Sequence, residues 1–362
     1  MSRIMSLSLA GAAGILFTAC ASKPPAPQYD SNLSATEQAP LFITAASTRS
    51  VDSVQRVAVT SCNVMFADVS SATASTGGGI FDDTNRAEAS VSVIYSLKGL
   101  DNNQLQRLAD DVCADAEAQL AEAGYDVVPR SALAGVETFQ ELQTAGRESP
   151  YEYKMGASTY KVFARSGESV FDERYIGTAA GLGQAFRAAA GGSAWQLEAV
   201  TLETLEASGV NINIMLDFAA LTSSGQGASG GGFVSRDTAE VSGEVRLSAA
   251  GELAFKPFSQ LDCWNRFGNR ECMVNANHIA RFSNHWPVVI PQTFYTDVVD
   301  ATTTGDAVAG AVTSALAFLG GGTSRDITRY DVNAIPARYA EISRLASQAF
   351  VEMAVTQAAT FK

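Results

Sequence analysis

The residues best suited to chemistry are a serine in a glycine-rich stretch and the acid and bases that follow it. Ser229 stands in a G-x-S-x-G pattern, and the order Ser, Asp, His is completed by Asp262, His278 and His285. Such a pattern makes a nucleophile only where a strand enters the serine turn and a helix leaves it. Glycine and serine flank Ser229 on both sides. A hydrolase is therefore a distant alternative, and we expect the chain not to be an enzyme.

The other polar patterns predict no metal site and no cofactor. The 362 residues include only two histidines, and the five cysteines show no C-x₂-C spacing of the kind that zinc sites use. The acidic pairs Asp82-Asp83 and Asp110-Asp111 are adjacent in sequence, so the side chains of each pair diverge on a helix or a strand. Gly181 and Gly183 lack the third glycine and the preceding strand of a dinucleotide-binding turn.

The composition indicates a folded, acidic protein. A hydrophobic fraction of 46% and a charged fraction of 17% are typical of a chain with a buried core. The 25 Lys and Arg against 38 Asp and Glu leave a formal net charge of −13, and no basic cluster offers a footprint for phosphates. Nucleic acid is therefore not an expected partner.

The N-terminal residues predict export. Residues 1–19 have the pattern of a signal peptide, because Arg3 supplies one positive charge and residues 4–17 form an apolar run. That run is shorter than the ~18–20 apolar residues needed to span a bilayer. Ala19 and Cys20, at the predicted cut, resemble the lipobox of bacterial lipoproteins, in which this cysteine is acylated, palmitate included. An ordinary secretory signal with an incidental cysteine is the alternative.

The lipobox resemblance implies a particular membrane as well as a lipid anchor. In that family an aspartate after the lipidated cysteine marks retention in the inner membrane. Ala21 stands at this position, which implies a lipid anchor in the outer membrane and a body in the periplasm. Residues 20–50 are then expected to be the lipidated cysteine and a Pro/Ser-rich tether.

The remaining cysteines predict two disulfide bonds. Export places the body in an oxidising compartment, and four cysteines are left once Cys20 is lipidated. Three pairings are possible. We favour Cys62 with Cys113, which would tie the first strand to the first helix, and Cys263 with Cys272, which would close a short loop.

The apolar periodicity predicts an α+β protein, with an α/β sandwich-type domain, an antiparallel β-hairpin module and a C-terminal helix. A strand over residues 54–59 precedes a helix that Asp101 can cap with Gln104 as capping-box partner, and another helix begins near Pro336. We expect the sheet to carry helices on one face. The expected parts are an α/β domain (51–165), a Gly-rich and β-hairpin module (166–260), a disulfide loop subdomain (261–292) and a C-terminal helical region (293–362).

Two segments of the hairpin module alternate apolar and polar residues, as half-buried strands do: residues 210–219 and 241–248. One interpretation is a sheet that packs on the helices. The other is a hairpin whose apolar face meets lipid, because a membrane-spanning strand needs only ~9–11 alternating residues.

The order of these features resembles the CsgG-like outer-membrane lipoproteins, the family of the curli secretion channel. The resemblance rests on Val57-Ala58-Val59, on residues 125–133 after the first helix, and on the strand 212–218 that leads into the turn at 222–226.

This resemblance implies a lipid-anchored structural or secretion-assembly protein. Its periplasmic body would oligomerise into a ring whose hairpins line an outer-membrane channel. The residues that would then face the lumen are Asn211, Asn213, Asp217, Glu244 and Arg246. A monomeric docking or regulatory lipoprotein that binds another envelope protein is the alternative.

Overall fold

The computed structural model describes residues 27–75, 89–155, 158–171, 193–226, 238–266, 268–303 and 324–362. Within these ranges the chain is an α+β protein with six α-helices, a 12-stranded mixed sheet and a separate two-stranded sheet. The helices are α1 (Ala35–Phe42), α2 (Asn102–Glu122), α3 (Arg130–Ala134), α4 (Glu137–Ala145), α5 (Ala194–Leu205) and α6 (Pro336–Ala359). None of them combines the length and the apolar character that a membrane-spanning helix requires.

The strands of the described ranges differ widely in length. They are β1 (Ile43–Ala46), β2 (Arg56–Ser75), β3 (Ala89–Lys98), β4 (Asp126–Val127), β5 (Tyr151–Met155), β6 (Ser158–Phe163), β7 (Ser208–Gln226), β8 (Thr238–Lys256), β9 (Leu261–Arg266), β10 (Asn269–Val274), β11 (Ala280–Asn284), β12 (Val288–Ile290), β13 (Tyr295–Asp300) and β14 (Ser324–Ala334). The longest three, β2, β7 and β8, form the centre of the main sheet.

The main sheet is built around β2. Its order is β1-β11-β8-β7-β2-β3-β14-β13, with β12 beside β8, β4 and β6 beside β2, and β5 beside β6. β2 runs parallel to β7 over residues 57–66 and antiparallel to β3 over residues 69–75. The central strand therefore exchanges β7 for β3 as its neighbour partway along its length.

Helices cover both faces of this sheet. Val57 and Val59 of β2 belong to the main core together with α2 and α6, whereas Ala58 between them packs with Leu202 of α5. Because successive side chains of a strand point to opposite faces, α5 lies on the side opposite α2. The expectation of helices on one face only is therefore wrong.

Two helices begin where their sequence patterns predict. At α2, Asp101 Oδ1 accepts a hydrogen bond from the backbone N–H of Gln104 (2.8 Å), and Gln104 Oε1 accepts one from the backbone N–H of Asp101 (2.9 Å). This reciprocal pair satisfies two of the N–H groups that a helix start leaves unbonded. Pro336 occupies the first turn of α6, where its missing N–H has no consequence.

Part of the expected tether belongs to the folded body. Within α1, Ala39 and Phe42 are each 1% exposed, because this helix packs against α6. β1 then joins the main sheet beside β11. The tether predicted over residues 20–50 therefore ends before α1, since those two side chains supply an apolar helix face that must be buried.

The disulfide subdomain is smaller than predicted. β9 and β10 form the separate two-stranded sheet, and the bond between Cys263 and Cys272 joins them. β11 and β12 pair instead with β8 in the main sheet. The boundary expected at residue 292 is wrong because buried side chains of these two strands, such as Phe282 and Val288, extend the main core.

Candidate functional site

The most unusual part of the sheet is the far end of the β7–β8 hairpin. The two strands pair from Gly209 and Lys256 out to Gln226 and Thr238. The pairing of β7 with β2, however, stops at Leu216. Residues 217–226 and 238–246 therefore leave the main sheet as a two-stranded ribbon, here called the outer ribbon. Within the described ranges, neither of its long edges pairs with a further strand.

The outer ribbon has one apolar and one polar face. Val241 and Val245 of β8 are partly buried and pack against the main core, whereas Glu240, Ser242 and Glu244 are exposed. The alternation has the period of two that a strand requires. One face of the ribbon is therefore suited to an apolar environment and the other to water.

Within one protomer, the apolar face of the outer ribbon is covered by β3. Val93 and Tyr95 of β3 are 9% and 8% exposed and belong to the core cluster against which Leu221 packs. A Cβ atom added at Gly243 would lie 2.6 Å from Leu221 Cδ2 and 3.0 Å from Tyr95 Cε2. The ribbon thus approaches β3 closely at Gly243, where a larger residue would have to displace a side chain.

A hydrogen-bonded aspartate marks the root of the outer ribbon. Asp217 Oδ1 accepts from Ser70 Oγ (2.7 Å) and from the backbone N–H of Ala219 (3.1 Å), and its Oδ2 accepts from the hydroxyl of Tyr160 (3.1 Å). The register of the β7–β8 pair shifts between Asp217 and Ala219, as at a β-bulge that bends a strand. Burial, with Asp217 adding to it, raises the pKa of Tyr160 well above its usual range, so the phenol keeps its proton.

The predicted lumen-facing residues fall into two groups, and the first group needs a correction. Asn211 and Asn213 are 5% and 3% exposed, because α5 and the segment at Phe171 cover this face of the sheet. Asn211 Nδ2 donates to Glu198 Oε1 (3.0 Å), and Asn213 Oδ1 accepts from Asn63 Nδ2 (3.0 Å). Neither side chain can line an aqueous channel from this position.

The second group lies at or beyond the root of the ribbon. Asp217 is partly buried by its hydrogen bonds, whereas Glu244 and Arg246 form an ion pair of 3.2 Å with partly exposed side chains. These two lie on the outer ribbon itself. Of the five predicted positions, Asn211 and Asn213 are buried, Asp217 and Arg246 are partly buried and Glu244 is exposed.

A groove of about 1280 Å³ opens where the outer ribbon leaves the body. Its walls carry an unusual concentration of aromatic side chains: Tyr29, Tyr95, Trp286, Tyr295 and Tyr330. Tyr95 and Tyr330, on neighbouring strands, stack with ring centroids 5.1 Å apart. Sequence reasoning missed this cluster, because its members come from distant segments; the alternation of Val91, Val93 and Tyr95 in β3 is the one local signal that could have drawn attention to it.

Both predicted cysteine pairs are bonded in the structure. Cys62 and Cys113 have Cα atoms 5.9 Å apart, and Cys263 and Cys272 have Cα atoms 4.1 Å apart. Glu203 lies close to the second pair, but sulfur atoms joined in a disulfide are not thiolate ligands for a metal. Cys20, the predicted lipidation site, lies outside the described residues.

The described residues do not support the hydrolase alternative. Ser229 lies outside the described residues. His278 Nδ1 is 3.1 Å from Ser50 Oγ, and Asp262 lies on β9 of the separate sheet. A catalytic triad built on Ser229 can therefore not be assembled from the described residues.

Comparison of the chain with protein-family models, with curated proteins and with solved structures finds no match. The class of protein is consequently argued from the fold and the site alone. It is an α+β body with an amphipathic two-stranded ribbon, whose edges no described strand pairs, and an aromatic groove at the ribbon's root.

Proposed function

We propose that this protein is a lipid-anchored assembly protein of the outer membrane, of CsgG-like type, whose outer ribbon enters the bilayer when several copies form a ring. The observation that carries the proposal is the outer ribbon: it is amphipathic, leaves the sheet at Leu216 and has two open edges among the described residues. Its strands cover residues 217–226 and 238–246, which matches the ~9–11 residues of a strand that crosses a bilayer.

Open edges explain why insertion would require assembly. In the hydrocarbon core each unsatisfied backbone N–H or C=O costs several kcal/mol, so a lone two-stranded ribbon cannot remain there. Copies arranged side by side would pair these edges with one another. Glu244 and Arg246 would then face the water-filled interior, and Val241 and Val245 would face lipid.

Because β3 covers the apolar face of the ribbon, the proposed protein has a closed state and an open state. In one protomer the apolar side of the ribbon packs against the core cluster that includes Val93 and Tyr95, which keeps it out of water before assembly. Insertion would exchange this contact for lipid. The single protomer is therefore a folded precursor in this proposal, and the ring is the active form.

The same cover is the specific observation that favours the alternative function. A monomeric docking or regulatory lipoprotein would keep the ribbon packed on β3 permanently and bind another envelope protein through its body. Particle size after detergent extraction separates the two functions: a ring of many subunits supports the first, and a particle near the chain mass of 38.0 kDa supports the second.

Two neighbouring positions on β8 allow a matched test. Val241→Arg places a charge on the apolar face of the ribbon, where a lipid-facing arginine at mid-bilayer costs about 2–4 kcal/mol per copy. Ser242→Arg places the same charge on the polar face. We expect Val241→Arg to abolish the membrane-extracted ring and Ser242→Arg to preserve it, with the circular dichroism of a folded body in both. Equal assembly of the two variants would contradict membrane insertion of the ribbon.

A cross-link tests the closed state directly. Tyr95→Cys removes the ring that lies closest to Gly243, and Gly243→Cys supplies a second thiol in the space it leaves. A short bismaleimide linker with an internal disulfide would add both thiols and hold the ribbon on β3 until a reductant cleaves it. We expect the linked protein to remain monomeric and to assemble once the linker is cleaved. Assembly of the linked protein would show that the ribbon need not open.

A further inference from the structure

A second site lies on the body, on the face of the sheet that carries α5. Two adjoining cavities share Trp195, Lys256 and Ile279 in their walls and are here called the α5 cleft; their volumes are about 220 Å³ and about 30 Å³. The cleft shares no lining residue with the aromatic groove. It is therefore separate from the ribbon and can be tested independently of it.

The larger cavity is mainly apolar and open at its mouth. Met273, Val274, Ala276 and Ile279 line it together with Trp195. Trp195 and Met273 are 37% and 48% exposed, which is a large apolar area to leave in water at one place. A liquid water occupies about 30 Å³, so the volume of about 220 Å³ equals roughly seven waters and has room for one large apolar side chain.

Two cations line the smaller cavity, and each is paired with a carboxylate. Lys256 and Arg281 line it beside Asn211. Lys256 Nζ donates to Glu198 Oε2 (2.5 Å), and Arg281 Nη1 donates to Glu252 Oε1 (2.7 Å). An ammonium has three N–H donors and a guanidinium five, so each cation is held by one carboxylate and retains donors for a ligand.

Glu198 positions Lys256 and is itself held by two further hydrogen bonds. It is 1% exposed, and its Oε1 already accepts from Thr60 Oγ1 (2.5 Å) and Asn211 Nδ2 (3.0 Å). A buried carboxylate must be fully hydrogen-bonded to be tolerated. The network therefore fixes the ammonium at the floor of the cleft, next to the ring of Phe171, whose centroid is 5.7 Å from Lys256 Nζ.

We propose that the α5 cleft binds the C-terminus of an extended peptide that ends in an apolar residue. The terminal carboxylate would receive hydrogen bonds from Lys256 and Arg281, and the last side chain would fill the apolar cavity beneath Trp195. The start of α5 at Ala194 adds its positive dipole end to the same region. The partner is thus a protein whose chain ends in a free carboxylate on an apolar residue.

The disulfide-linked hairpin β9–β10 forms one wall of this site. Met273 and Val274 belong to β10, and the hairpin is held to α5 by the Arg270–Glu203 ion pair of 2.5 Å. The bond between Cys263 and Cys272 keeps its two strands together. The wall is therefore braced from both sides, which preorganises the cleft for a ligand.

The test uses the full chain in detergent and the fluorescence of Trp195, one of only three tryptophans. The probes are acetyl-Ala-Ala-Leu with a free carboxylate and the same peptide as its C-terminal amide; Trp195→Phe assigns the signal. We expect the acid to bind at least about tenfold more tightly than the amide, because the amide lacks the charge that the cations receive. Equal affinities would overturn the proposal.

Paired substitutions keep the result independent of folding. Glu198→Gln with Lys256→Met removes both charges of the ion pair, so no buried charge is left uncompensated. We expect this variant to lose the preference for the acid. Glu341→Gln with Arg338→Met removes an exposed ion pair on α6, away from the residues that line the cleft, and should keep it. Binding of octanoate more tightly than of the peptide acid would assign the cleft to a fatty acid and overturn the peptide proposal.

Discussion

Cys62 of β2 and Cys113 of α2 are bonded to each other at the centre of the main core, where their exposures are 1% and 0%. The bond joins the central strand to the helix that covers it, across 51 residues of sequence. Strand and helix are thus tied at the point from which β2 continues toward the ribbon region. The same bond gives the first prediction.

Replacing Cys62 and Cys113 with alanine should lower the free energy of unfolding by about 2–4 kcal/mol, because the bond restricts a long loop in the unfolded chain. Urea unfolding without reductant measures this loss. The matched variant replaces Cys263 and Cys272 with serine and opens a loop of only 9 residues. We expect a smaller loss of stability there. An equal or larger loss would contradict the explanation by loop length.

Arg130 should be essential for the packing of α3 on the sheet. Its Nη1 donates to the backbone carbonyl of Val59 (2.5 Å), and the guanidinium pairs with Glu117 and Glu168. Burial, followed by the neighbouring charge of Arg165, lowers the pKa of Arg130 to about 10. The group nevertheless remains charged at neutral pH.

We expect Arg130→Met to lower the free energy of unfolding by about 1–3 kcal/mol, since the partly buried carboxylate of Glu168 loses this partner whereas Glu117 keeps Arg165. Arg130→Lys should recover little of this, because an ammonium lacks the planar fork. Arg338→Met, which breaks an exposed pair with Glu341, is the control and should cost less than about 0.5 kcal/mol. Denaturant titration of the three variants measures these free energies of unfolding. Full stability of the Arg130→Lys protein would contradict a role for the planar guanidinium group.

Gly251 should not tolerate a side chain. A Cβ atom there would lie 2.2 Å from the carbonyl oxygen of Asn213 and 2.8 Å from Phe350 Cε1 of α6. Gly251→Ala should therefore destabilise the protein by about 1–3 kcal/mol through overpacking.

Gly135→Ala is the matched control, because the nearest atom to its added Cβ would be 3.4 Å away. We expect a change below about 0.5 kcal/mol there. Thermal unfolding compares the two, and a Gly251→Ala protein as stable as the wild type would show that β8 and α6 can move apart.

Alkaline conditions should destabilise the body through its buried tyrosines. Burial raises the pKa of Tyr125 to about 12, and burial also raises those of Tyr160 and Tyr339. In the unfolded chain a tyrosine titrates near 10. The folded state therefore holds these protons more tightly, so their contribution to stability is complete below about pH 10 and declines as the pH rises toward 12.

Tyr125→Phe measures the contribution of Tyr125 to this loss of stability at high pH. The urea midpoint of the wild type should fall between pH 9 and pH 11.5, and that of the variant should fall less steeply. Absorbance of tyrosinate provides a second readout. An identical decline in both proteins would mean that Tyr125 ionises as readily in the folded state as in the unfolded one.

Local patterns were sufficient for some elements. Asp101 and Gln104 predicted the start of α2, and Pro336 that of α6, because a helix start is decided by a few neighbouring residues. The α+β class and both cysteine pairs were also predicted from sequence. Each of these features depends on residue types and spacings that are visible along the chain.

Which residues are buried could not be predicted from local patterns, because burial depends on the segment that packs over each surface. Alternation in β7 correctly separated an apolar from a polar face, but it could not show that α5 packs over Asn211 and buries it. The same limit applied to α1, whose residues Ala39 and Phe42 were assigned to a tether. A period of two or of 3.6 identifies a face, and only the tertiary structure shows whether helix, strand or solvent meets it.

The sequence by itself determined the acidic α+β body, its two disulfide bonds and the alternating strands from which a hairpin was expected. Tertiary structure alone decided where β7 leaves β2, which residues cover the ribbon and how Lys256 meets Glu198 across 58 residues of chain. The reason is physical: backbone propensity and periodicity are local, whereas burial and ion pairing are set by segments that are distant in sequence and become neighbours only when the chain folds.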